Sequence, residues 1–304
     1  MKVLLAAPRG YCAGVERAVD AVERALERSG PPVYVRRQIV HNLHVVRDLE
    51  VKGAVFVEEE TDVPEGAVVV LSAHGVAPEV YENAQGRRLT VIDATCPLVT
   101  KVHLESRRFA GEGQTILLIG HAGHEEVVGT TGQSPDRTIL VENVEQARTV
   151  EVPDPEHLTY LTQTTLSVDE TDEIVDVLRR RFPSITAPPK DDICYATQNR
   201  QDAVKAVAPR ADVVLVIGSK NSSNSNRLVE VSKALGTPAY LVDDETEVDP
   251  AWLRGAEVIG LTSGASAPEW LVDRMLAKLA ELGATEVEEL HLAEEALRFS
   301  DVRL

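Results

Sequence analysis

Three stretches decide how this chain is read: PRGYCAGVERAV at 8–19, DATCPLVTKVH at 93–103 and DDICYATQNRQDAV at 191–204. In each, a cysteine stands close to a probable strand end and just ahead of a helical pattern. Outward from them the same alternation continues. KVLLAA leads into GVERAVDAVERALERSG, VVVLSA into APEVYENAQG, and LTVIDA into PLVTKVHLESRRFAGEG, with further strand runs in TILLIG, LTYLT, VVLVIG and VIGLTS. Short apolar runs alternating with amphipathic helical patterns predict an α/β fold with largely parallel sheets. There are too many such units for one small sheet. In open α/β sheets ligands gather beyond the carboxyl ends of the strands. Three cysteines so placed are therefore expected to converge, with three similar lobes around a shared centre.

Composition narrows the function. With 304 residues, 43% of them hydrophobic, the chain can bury a sizeable core, and about 150 residues per domain suggests roughly two domains. Apolar runs such as VVLVI at 213–217 fall far short of the about 20 residues of a membrane helix, and the N-terminus lacks the pattern of a secretory signal. A cytoplasmic location is expected, with no membrane partner. The net charge of −18 opposes attraction to nucleic acid, whose binding rests on Lys and Arg. An anionic small ligand must then be held by local donors: histidines, hydroxyls, amides and helix N-termini.

Cys12, Cys96 and Cys194 are an odd number, separated by 84 and 98 positions, so no disulfide framework fits. Three thiolates leave a cubane iron–sulfur cluster with one iron unligated by protein, whereas electron-transfer clusters normally have four protein ligands. An open position suits Lewis-acid or bond-breaking chemistry. A structural zinc held by three cysteines and one histidine competes, but its short Cys-x2-Cys knuckle is missing. A non-catalytic electron carrier would need no anion pocket, and a zinc hydrolase would keep its activity in air.

That anion pocket is read from a second set of loops: VHN with His41, SAHGV with His74, GHAGHEEV with His121, His124 and Glu126, and GSKNSSNSN with Ser222, Ser223 and Asn224. Each lies where a turn or helix N-terminus offers backbone N–H groups, and Gly75 and Gly123 permit close backbone approach or a positive φ. Singly, His41 and His74 fit an ordinary polar or capping role equally well, and NSSNSN alone reads as a turn with an N-cap. His44, His103, His157 and His291 carry only a structural reading. No GK[ST] P-loop and no GxGxxG follows a strand, and HEEVVG at 124–129 opens like a zinc-protease motif but holds no second histidine.

Nine segments in order, PRGYCAGVERAV, QIVHN, SAHGV, DATCPLVTKVH, GHAGHEEVVGT, TQTTLSVDET, ICYATQNRQDAV, GSKNSSNSNRL and SGASAPEWLV, closely resemble the 4-hydroxy-3-methylbut-2-enyl diphosphate reductases of the non-mevalonate isoprenoid route. The resemblance spans nearly the whole chain. It implies a 4Fe-4S cluster on Cys12, Cys96 and Cys194 at the centre of three α/β domains in pseudo-threefold arrangement. It further implies diphosphate binding by His41, His74, His124, Ser222, Ser223, Asn224 and Ser266. Thr164 matches the threonine near the substrate hydroxyl and Glu126 the proton-relay carboxylate, with the hydroxyl meeting the open iron. Implied domains are 14–97, 98–191, and 192–282 with 1–13, followed by a C-terminal tail at 283–304. The implied reaction is a reductive dehydration giving isopentenyl or dimethylallyl diphosphate, fed by an external donor of ferredoxin or flavodoxin type. Ala122 and Val128 depart from glutamates frequent in that loop, and Asp192 lies where the family varies.

Overall fold

In the computed structural model all 304 residues, Met1–Leu304, are described. The chain opens with β1 (Lys2–Ala7) and α1 (Ala13–Ser29), then runs through β2 (Val33–Arg36), α2 (Leu43–Lys52), β3 (Ala54–Val57), β4 (Val68–Leu71), α3 (Pro78–Gly86) and β5 (Thr90–Asp93). Next come α4 (Pro97–Gly111), β6 (Thr115–Ile119), α5 (Glu125–Thr131), β7 (Thr138–Val141), α6 (Val144–Thr149), β8 (Leu158–Thr162) and α7 (Val168–Arg181). The remainder holds α8 (Tyr195–Val207), β9 (Val213–Ile217), α9 (Ser223–Ala234), β10 (Ala239–Val242), β11 (Val258–Ser263), α10 (Glu269–Glu281) and β12 (Glu286–His291). No helix is long and apolar enough to cross a membrane.

The strands form three sheets, ordered β10-β9-β11-β1-β12, β3-β2-β4-β5 and β7-β6-β8. Every strand pair is parallel. Parallel neighbours require crossover connections, and the alternating helices supply them, so the α/β expectation is borne out. The chain divides into two compact units. One comprises Met1–Glu16, Val40–Asp48 and Tyr195–Arg298, and holds the five-stranded sheet. The other comprises Arg17–Ile39, Leu49–Cys194 and Phe299–Leu304, and holds the other two sheets.

Burial explains the unbroken apolar strands. In the first unit Val213, Leu215 and Ile217 of β9 pack with Leu271, Val272 and Met275 of α10. The intervening Val214 and Val216 pack with Val204 of α8 and Leu228 of α9. Both faces are covered, so β9 has no polar side to show in its sequence. In the second unit β6 behaves alike: Leu117 and Ile119 join Ile174 and Leu178 of α7, while Ile116 and Leu118 join Val102 and Phe109 of α4. Helix α1 buries Ala18, Ala21, Val22 and Ala25 completely, the i, i+3, i+4, i+7 spacing of one helical face. It ends at Gly30, whose φ of 69° suits a helix C-terminus.

Glu286–His291 pair in parallel with β1, from Lys2↔Glu286 to Ala7↔His291. Lys2 bridges Glu286 at 2.7 Å and Glu288 at 2.6 Å.

Candidate functional site

In the first unit the expected residues lie beyond the carboxyl ends of β1, β9 and β11. Cys12 precedes α1; its N–H donates to the Ala265 carbonyl (3.2 Å), and its own carbonyl accepts from the Glu16 N–H (3.0 Å), closing the first helical turn. Ser222 is the N-cap of α9, its hydroxyl accepting from the Ser225 N–H at 3.3 Å. Asn224 ties α9 to the loop after β11 and to α8: its Oδ1 accepts from the Ala265 N–H at 2.8 Å, and its Nδ2 donates to Thr197 at 3.2 Å. Ser266 Oγ donates to the His41 carbonyl at 2.9 Å, and His41 Nδ1 lies 3.3 Å from Asn221 Nδ2. Ser223 is half-buried in the first turn of α9. This turn sits tight on the strand ends, since a Cβ at Gly218 or Gly264 would lie 2.2 or 2.0 Å from Ser225 Oγ. A helix start presenting hydroxyls and amides, with a histidine nearby, is suited to an anion.

In the second unit the loop after β4 carries His74. The Ala73 carbonyl accepts from the Cys96 N–H at 3.0 Å, and Gly75 N–H closes a turn onto Ser72 O at 3.2 Å. Gly75 has a φ of 75°, and a Cβ there would meet His103 Cε1 at 2.7 Å. Only glycine fits both demands. His74 Nδ1 lies 3.3 Å from Ser72 Oγ and 3.5 Å from Glu125 Oε2. Burial opposes its charge, but the hydrogen bond and charge of Glu125 outweigh burial and raise its pKa. His124 is the N-cap of α5, with Nδ1 accepting from the Glu126 N–H at 3.2 Å. An accepting Nδ1 leaves the proton on Nε2, and burial accordingly lowers the pKa of His124. The two imidazoles meet edge to face at 6.0 Å between centroids.

Glu126 is 5% exposed and is held by one residue. Thr164 donates its N–H to Oε2 at 2.9 Å and its hydroxyl to the carboxylate at 2.9 Å. The Thr164 carbonyl in turn accepts from the Cys194 N–H at 3.1 Å. A single residue after β8 thus positions both a buried carboxylate and a cysteine.

None of the three cysteines is in a disulfide, and all are half-buried. Each immediately precedes a helix: α1 begins at Ala13, α4 at Pro97 and α8 at Tyr195. Soft thiolates select iron–sulfur clusters, zinc or copper(I). The donor set therefore fits an iron–sulfur cluster. Cys12, His41, Ser222, Ser223, Asn224 and Ser266 belong to the first unit, and His74, Cys96, His124, Glu126, Thr164 and Cys194 to the second.

Three partners went unread in the sequence. Glu125 and Ser72 contact His74, and Thr197, fully buried, anchors Asn224. The adjacent acids at 125 and 126 were the one available signal for the first. Ala122 and Val128 are exposed, whereas Asp192 is buried, pairing with Lys101 at 2.9 Å and accepting from the Thr162 N–H at 2.9 Å.

The LytB protein family model matches residues 3–280. The chain is 65% identical to 4-hydroxy-3-methylbut-2-enyl diphosphate reductase of Acidothermus cellulolyticus, over 98% of this chain and 88% of that relative. It is 61% identical to 4-hydroxy-3-methylbut-2-enyl diphosphate reductase 2 of Mycobacterium tuberculosis, over 98% and 90%. Among solved structures, the E-1-hydroxy-2-methyl-but-2-enyl-4-diphosphate reductase of Plasmodium falciparum superposes with a TM-score of 0.95 at 40% identity, covering 99% of this chain and 95% of that one. A second, an (E)-4-hydroxy-3-methyl-but-2-enyl diphosphate reductase described as the terminal enzyme of the non-mevalonate pathway, gives 0.65 at 33% identity, covering 92% and 99%. The three cysteines ahead of their helices and the paired Glu126 and Thr164 thus stand in a chain that belongs to the LytB protein family.

Proposed function

We propose that the chain reductively dehydrates 4-hydroxy-3-methylbut-2-enyl diphosphate, with two electrons and two protons giving isopentenyl or dimethylallyl diphosphate and one water. The relatives carrying that name match nearly the whole chain, and the buried Glu126–Thr164 pair is the observation that carries the chemistry. Cys12, Cys96 and Cys194 would hold a 4Fe-4S cluster, which when bound supplies the electrons and an open Lewis-acid position. The donor is of ferredoxin or flavodoxin type and the setting cytoplasmic. The lobes at 14–97, 98–191, and 192–282 with 1–13 belong to the same proposal.

The chain's own residues then have distinct tasks. His41, His74, His124, Ser222, Ser223, Asn224 and Ser266 bind the diphosphate. The raised pKa of His74 favours an imidazolium that can face anionic oxygen, and His124 donates from Nε2. Glu126, through Thr164, delivers one proton to the departing hydroxyl, so that it leaves as water. The second proton adds to either end of the allyl unit, which fixes the product. Burial of Glu126 and Thr164, each 5% exposed, keeps bulk water from competing for protons.

The test is anaerobic purification with an iron and sulfide count, followed by turnover of the diphosphate with a chemical reductant. Glu126→Gln is expected to lose roughly 10²- to 10⁴-fold in turnover with the cluster spectrum and diphosphate affinity nearly unchanged. Turnover within a factor of a few of the parent chain would sink the proton-delivery role. Full iron in Cys194→Ser would sink the ligand assignment.

A further inference from the structure

The arginine at position 200 is the largest fully buried side chain in the molecule, at 0% exposure, and no step above uses it. It lies on α8, and half of its hydrogen bonds go to one loop. Nη2 donates to the Gly10 carbonyl at 2.7 Å and Nε to the same oxygen at 3.3 Å, and Nη2 also reaches the Arg9 carbonyl at 3.4 Å. Nη1 donates to Ala196 O at 2.9 Å. The opposing charge is Glu295, met at 2.9 Å through Nη1 and 3.3 Å through Nη2. Glu295 comes from the irregular segment after β12 and is oriented by Asn199 Nδ2 at 3.1 Å.

We infer that Arg200 and Glu295 form a positioning pair for Cys12, locking the loop Arg9–Cys12 so that its thiolate is preset for the cluster. The inference rests on the ligand assignment proposed above. The loop is pinned from both sides: the Gly10 N–H donates to Ser263 Oγ at 2.9 Å, its carbonyl takes the Arg200 fork, and the Cys12 N–H is bound to Ala265. Gly10 has a φ of 68°, so the peptide oxygen that Arg200 grips belongs to a turn that other residues adopt with strain. A guanidinium fully out of water requires a counter-charge. Glu295 provides it from the C-terminal segment, which makes that segment part of the cysteine's setting. A purely structural pair would stabilise the unit without favouring one cysteine.

Two readouts on the full chain separate these. In the metal-free protein, alkylation of Cys12, Cys96 and Cys194 by iodoacetamide is timed by peptide mass spectrometry. In the anaerobic holoenzyme, iron loss to a chelator is followed. Glu295→Gln should raise Cys12 alkylation about tenfold, the worth of one charge-assisted hydrogen bond, with Cys96 and Cys194 unchanged, and should speed iron loss similarly. Arg200→Lys, which keeps the charge but loses the fork, should do the same. Equal changes at all three cysteines, or none at Cys12, overturn the inference, as does loss of cooperative unfolding in both variants, since a positioning role leaves the fold standing. If the parent chain holds no iron while Cys12 alkylation still responds, the ligand assignment fails and the loop lock stands.

Discussion

Replacing Thr164 with valine keeps the branched shape and deletes one group, the hydroxyl that donates to both oxygens of Glu126 at 2.9 Å. The backbone N–H of residue 164 still reaches Oε2, so one oxygen keeps a donor and the other loses its own. Both side chains are 5% exposed, and water cannot enter cheaply. A hydrogen bond to a charged group contributes about 1.5–3 kcal/mol, so Thr164→Val is expected to cost on the order of 2 kcal/mol. The double cycle with Glu126→Gln isolates the pair, because the valine should cost much less once the carboxylate is already gone. Urea unfolding of the metal-free protein and turnover of the reconstituted enzyme are measured on all four chains. Thr164→Ser should restore both, since it returns the donor. A coupling below about 0.5 kcal/mol, within the range where independent sites add, would refute the claim that this is a desolvated, directly coupled pair.

His103, 6% exposed, has its pKa lowered to about 4 by burial and then by Arg107. The folded value lies below the unfolded 6.5, so the unfolded chain binds the proton first and stability falls as pH drops from 6.5 towards 4, by up to about 3 kcal/mol; His103→Gln should flatten that limb in pH-dependent unfolding. Lys101→Met strands the Asp192 side chain, which is 0% exposed, and should cost about 3 kcal/mol by thermal or urea unfolding, largely recovered on adding Asp192→Asn. Gly264→Ala places a Cβ 2.0 Å from Ser225 Oγ, so it should destabilise the start of α9 by about 1–3 kcal/mol and weaken diphosphate binding measured by calorimetry, with partial rescue by Ser225→Ala.

The sequence by itself determined the central strands and the helices that flank the cysteines. Strands such as VVLVI at 213–217 and TILLI at 115–119 are covered on both faces, so burial writes an unbroken apolar run that needs no partner to be read. The nine ordered segments likewise carried the family and the candidate residues. Short or peripheral strands stayed hidden. EVEELH at 286–291 looks like a solvated acidic stretch, and only pairing with β1, where Lys2 and Arg9 meet its glutamates, makes it a strand. The site divides in the same way. Glu126 was legible from its loop, but its partner at Thr164 stands 38 positions away, and no local pattern encodes a hydrogen bond across that distance. Glu125, one residue earlier, turns to His74, because successive residues of a helix point in different directions. Arg200 is the extreme case: in YATQNRQDAV it reads as an ordinary helical cation, and only the closed unit, by removing water and supplying Glu295 and the Gly10 carbonyl, makes it a buried anchor.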